Sequence, residues 1–139
     1  MSTRARTALW CLALLPLPAC TAVATPTPTS PLPKVIVSMF SGRQDPSFTL
    51  TREQADALTA CLADGTAAAT GSPPEGLGFR YFTVAGLRAH PLLLGVDGAW
   101  SDEGGRVTPV ALCAAGFAIL RSAATAALDA DVAAAIPKP

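Results

Sequence analysis

Six of the chain's thirteen prolines stand before Lys34, at positions 16, 18, 26, 28, 31 and 33, and they decide how much of it can fold. Each removes a backbone donor and fixes φ, so neither a helix interior nor a central strand accommodates them. Regular structure is therefore expected to begin at Lys34. The segment in front divides in two. Arg4 and Arg6 precede an apolar run, residues 8–15 (ALWCLALL), with the length and flanking charge of a signal peptide's hydrophobic region. It is shorter than the roughly 20 apolar residues that span a bilayer. Pro16 and Pro18 would break it as a buried helix. Residues 25–33 (TPTPTSPLP) have little to bury and favour extended polyproline II geometry, which suits a spacer.

Between leader and spacer stands Leu17-Pro18-Ala19-Cys20, which resembles the lipobox of bacterial lipoproteins. Leu17 lies three residues before the cysteine and the small Ala19 directly before it, as in that family. Pro18 departs from the Ser, Ala, Thr or Val usual there. The resemblance implies cleavage before Cys20, a diacylglycerol on its thiol, and anchorage to the cell membrane or outer membrane. Residues 1–19 are then the lipoprotein signal peptide and 20–33 the tether. Ala22-Val23-Ala24 also fits an ordinary small-x-small cleavage site, which would release a soluble secreted chain starting at Thr25. Both readings export the rest of the chain.

With Cys11 removed in the leader and Cys20 acylated, Cys61 and Cys113 remain. Each falls on the expected buried stripe of a helix. Side-by-side packing of those helices brings the thiols together, and an oxidising compartment turns them into a disulfide. The alternative is two buried free thiols acting as small hydrophobes. Two thiols and a single histidine make a metal site unlooked for, and no cofactor is implied.

The 139 residues suit one domain, taken as residues 34–134 with a tail over 135–139. Ten basic residues balance ten acidic ones, and loss of Arg4 and Arg6 leaves eight against ten. That balance gives no basic footprint for nucleic acid. Residues 34–41 (KVIVSMFS) read as an internal strand, with Val35, Val37 and Met39 on one face and Ile36 and Phe40 on the other. A turn-rich loop and Phe48-Thr49-Leu50 come next. Thr51 and Gln54 have the spacing of a capping box, and Ala55, Leu58, Cys61 and Leu62 recur at helical spacing until Gly65. Residues 66–78 read as a loop, residues 79–87 and 91–96 as an antiparallel hairpin, and Asp97-Gly98 as a tight turn before Trp100. Thr108-Pro109 is expected to open a second helix with Cys113, Phe117, Leu120 and Ala124 as its apolar stripe. Beyond Thr125 a fraying end or a short helix is expected. The order implies an α+β domain, a small antiparallel sheet with two helices packed on one face and one inter-helix disulfide.

Chemistry has few places to reside. The loop from Ser41 ends at a helix N-terminus and carries Arg43, Ser47, Thr49 and Thr51, which could clamp a small anionic ligand. The plainer reading is a turn built by Asp45-Pro46, with Arg43 paired inside its own domain. Residues 41–51 (SGRQDPSFTLT) and Gly76-Leu77-Gly78-Phe79-Arg80 resemble an uncharacterised group of small bacterial proteins with a Ser-Gly-Arg-Pro-Asn-Pro-Ser-Trp type loop. Gln44, Asp45 and Phe48 depart from its pattern, and the group implies no activity. His90 reads as a turn residue, Asp97, Asp102 and Glu103 as a solvated acidic turn rather than a calcium loop, and Phe79, Tyr81, Phe82 and Trp100 as core rather than a partner patch.

The functional expectation is a non-enzymatic cell-envelope lipoprotein whose domain binds an envelope partner or a small anionic ligand. One alternative is a small envelope hydrolase using His90. Another is a secreted protease inhibitor, because Val96-Asp97-Gly98-Ala99-Trp100 resembles a segment of the bacterial subtilisin inhibitors. The second disulfide that braces their reactive loop has no counterpart here.

Overall fold

A computed structural model describes residues 30–39, 42 and 44–139. The leader, Cys20, Phe40, Ser41 and Arg43 lie outside the described residues. Seven strands form one antiparallel sheet: β1 (Lys34–Ser38), β2 (Ser47–Thr49), β3 (Ala67–Ala68), β4 (Tyr81–Ala85), β5 (Leu92–Gly95), β6 (Gly98–Asp102) and β7 (Val107–Leu112), in the order β2-β1-β4-β5-β6-β7-β3. Three helices complete the α+β fold: α1 (Arg52–Ala63), α2 (Gly116–Ala127) and α3 (Ala130–Ala135).

The strand register explains the alternation in the sequence. Val35 stands opposite Val84, Val37 opposite Phe82, Phe82 opposite Leu94, and Leu94 opposite Ala99, so these side chains share one face. They merge into a single buried cluster with Leu58 of α1 and Phe117, Leu120 and Ala124 of α2. Phe79, Phe82 and Phe117 meet edge-on or tilted, with ring centroids 5.1 to 5.7 Å apart. Of the four aromatics expected in the core, Phe82 and Trp100 are buried, whereas Phe79 and Tyr81 are half-buried. The core reaches Ile136, beyond the domain boundary expected at residue 134.

On the sheet's opposite face Leu93 and Trp100 are buried, whereas Ile36, Tyr81 and Thr83 are half-buried. The indole N–H of Trp100 donates to the carbonyl of Gly71 at 2.9 Å, which draws the β3–β4 connection over the ring. A Cβ on Gly98 would collide with Ala69, so this connection lies close on β6. The loop expected over residues 66–78 is thus present, and its start is enlisted as the edge strand β3.

The second helix starts later than its sequence signature implies. Residues 107–112 do not open a helix; they form β7, and α2 begins only at Gly116. Thr108-Pro109 has the signature of a helix start, but Val107 and Val110 suit a pleated strand, and pairing with β6 wins. Pro109 is tolerated because β3 pairs only with Leu112 and Ala111, leaving this stretch of β7 unpaired on its outer side. Cys113 consequently lies between β7 and α2, ahead of the helix stripe that its spacing implies.

Candidate functional site

The disulfide is formed. Cys61 Sγ and Cys113 Sγ are bonded with their Cα atoms 5.0 Å apart, and the Cys113 N–H donates to the Cys61 carbonyl at 3.1 Å. Gly65 permits this approach, because a Cβ there would lie 2.5 Å from the backbone carbon of Ala111. The bridge therefore ties the end of α1 to the β7–α2 link. Cys61 is 4% exposed, whereas Cys113 is half-buried.

The sheet has two distinct ends. At one, the β1–β2 loop meets the segment leading into β4. Asp45 Oδ1 accepts from the Met39 N–H at 3.1 Å, Asp45 Oδ2 lies 4.0 Å from the Arg80 guanidinium, and the Arg80 N–H donates to the Ser38 carbonyl at 2.9 Å. The two segments that carry the Ser-Gly-Arg loop resemblance are thereby joined in space. Asp45, where this sequence departs from that pattern, makes the joint.

The expected anion clamp is distributed differently from its linear arrangement. Ser47 and Thr49 are exposed on the short edge strand β2, and Arg43 lies outside the described residues. Thr51 is the N-cap of α1: its hydroxyl accepts from the Gln54 N–H at 3.2 Å while Gln54 Oε1 accepts from the Thr51 N–H at 2.9 Å. The capping box read in the sequence is real, and it occupies the hydroxyl with the helix itself. Glu53 adds an acidic group in the first turn, which complements the helix dipole from within the chain.

At the other end of the sheet the spacer enters. Lys34 pairs with Ala85, and the Leu50 N–H donates to the Pro33 carbonyl at 2.9 Å. Arg52 Nη2 donates to the Ser30 carbonyl at 3.4 Å. The same end carries the β4–β5 link, residues 86–91, and the β6–β7 turn, residues 103–106. Gly104 and Gly105 take φ of 70° and 97° in that turn, and Asp102 Oδ1 accepts from the Gly105 N–H.

Between these connections lies an open groove of about 340 Å³, lined by Arg88 and His90 from the link, Ser101 and Thr108 from the strands, and Glu103. Ser101 and Thr108 are cross-strand partners and both half-buried. Among the described residues, no hydrogen bond joins His90 to Ser101, although both line this groove. The grouping was not legible in sequence, because Ser101 and Thr108 meet only once β7 is recognised as a strand.

The three acids expected in one turn are separated by β6. Asp97 lies in the β5–β6 turn, and Asp102 and Glu103 lie at the opposite end of that strand. Among the described residues no cluster of three or more His, Cys, Asp or Glu side chains is assembled for a metal. No helix among these residues is long and apolar enough to cross a membrane. Comparison of the chain with protein-family models, curated proteins and solved structures yields no match in any of the three.

Proposed function

We propose that the chain is an exported cell-envelope lipoprotein, acylated at Cys20, whose disulfide-braced domain serves as a binding module held off the bilayer by the 20–33 tether. The observation that carries this reading is the Cys61–Cys113 disulfide. Disulfides persist in oxidising spaces outside the cytoplasm, the destination implied by Arg4, Arg6, the apolar run and the lipobox-like Leu17-Pro18-Ala19-Cys20. Ser30 and Pro33 are held against the domain, so the ten residues 20–29 ahead of them would reach roughly 30 Å if extended as polyproline, at about 3.1 Å per residue.

Labelling of a bacterial host with tagged palmitate tests the reading. The wild-type chain is expected to take up label and to fractionate with membranes, and Cys20→Ser to do neither. A labelled Cys20→Ser chain, or an unlabelled wild type released as a soluble product beginning at Thr25, would contradict it.

A further inference from the structure

The two cysteines of the bridge differ in access. Cys61 stands on the buried stripe of α1 with Ala55 and Leu58 and is 4% exposed. Cys113 lies in the link between β7 and α2, is half-buried, and lines an open groove of about 220 Å³ with Ala67, Ala68, Ala69, Asp97 and Ala114. The short alanine side chains leave this residue approachable from solvent, whereas Cys61 faces the core. Contacts other than the S–S bond also hold the pair together. The Cys113 N–H donates to the Cys61 carbonyl at 3.1 Å, and β3 pairs Ala67 with Leu112, the neighbour of Cys113. A thiol on Cys61 is therefore held within reach of Cys113 before the bridge exists, and its reaction there is intramolecular.

We propose that Cys113 is the thiol at which the bridge is built, by exchange with an external disulfide, and that Cys61 is the resolving thiol. The Cys113 thiol gives its proton to solvent and its thiolate attacks one sulfur of the external disulfide. A mixed disulfide forms on Cys113, and the other external sulfur leaves as a thiolate. The Cys61 thiol then loses its proton, attacks Cys113 Sγ and releases the remaining external sulfur as a thiolate. The protein's thiols are oxidised to the bridge, and the external disulfide is reduced to its thiols. In the export reading above, that disulfide belongs to a dithiol oxidase outside the cytoplasm; the order of the two cysteines does not rest on that reading.

The test uses the full chain with Cys11→Ser and Cys20→Ser, so that Cys61 and Cys113 are its only thiols and acylation does not enter the outcome. The chain is reduced, freed of reductant, and given a substoichiometric amount of N-ethylmaleimide, an uncharged probe that Asp97 does not repel. Mass spectrometry of the peptides locates the label. Cys113 is expected to be labelled over Cys61 by at least about tenfold, because the buried thiol reacts only through local opening. In urea that preference is expected to vanish. In a second arm, bis(2-hydroxyethyl) disulfide is expected to leave a stable mixed disulfide on Cys113 when Cys61→Ala is added. Cys61 is expected to stay free over the same time when Cys113→Ala is added instead, with circular dichroism verifying that both variants are folded. Equal labelling of the reduced chain in native buffer, a preference that persists in urea, or a mixed disulfide that forms on Cys61 as fast as on Cys113 would overturn the assignment. A chain that takes up no palmitate yet shows the Cys113 preference would lose the lipoprotein reading and keep the entry thiol.

Discussion

Removal of the disulfide is the perturbation whose size can be worked most directly from the structure. Cys61 and Cys113 are 52 residues apart, and closing a loop of that length removes unfolded-state entropy worth about 4 kcal/mol in the chain-entropy relation. Unfolding entropy near 2.1 cal/mol/K per residue, over roughly 100 ordered residues, converts this to a fall of about 19 °C in Tm. The variant to use is Cys61→Ala with Cys113→Ala, because serine would place a hydroxyl at the buried Cys61 position. Thermal unfolding followed by circular dichroism, with and without reductant, measures the effect. Reductant is expected to lower the wild-type Tm by a similar amount and to leave the double alanine variant unmoved. A wild-type protein insensitive to reductant, or a double variant within about 4 °C of wild type, would refute the reasoning.

Three further substitutions probe local contacts. Gly65→Ala forces a Cβ against the Ala111 backbone and is expected to cost about 1 to 3 kcal/mol in chemical denaturation; an unchanged midpoint would show that α1 and β7 do not approach so closely. Thr51→Ala deletes the hydroxyl that accepts the Gln54 N–H and is expected to cost about 1 kcal/mol, whereas Thr51→Ser should be nearly silent. Trp100→Phe removes the donor to the Gly71 carbonyl, so residues 69–78 are expected to be cut faster in limited proteolysis while α1 and α2 stay protected.

Much of the architecture was legible from side-chain periodicity, and the exceptions share a cause. The alternation in Val35, Ile36 and Val37, the Thr51/Gln54 cap, and the hairpin between residues 79–87 and 91–96 are local signals, and each produces the element it implies. β7 is different. Thr108-Pro109 carries a strong local signature for a helix start, and only cross-strand pairing with β6 overrides it. That single override moves Cys113 out of a helix. It also hides the Ser101–Thr108 pair, which the chain separates by a glycine turn and the sheet places face to face. Asp102 and Asp97 illustrate the converse: close in sequence, they are parted by the length of β6. The disulfide was legible for a chemical reason, since the expected leader and lipobox would each account for one cysteine and leave two.

The proposed function joins a discarded export leader, a lipid on Cys20 and an oxidised pair in the domain. Intact-mass analysis of the protein from native envelopes, after alkylation without reductant, measures all three at once. A chain that starts at Cys20, carries the added mass of a diacylglycerol and takes up no alkyl groups is the predicted result. A chain that retains residues 1–19 and alkylates at both Cys61 and Cys113 would contradict it.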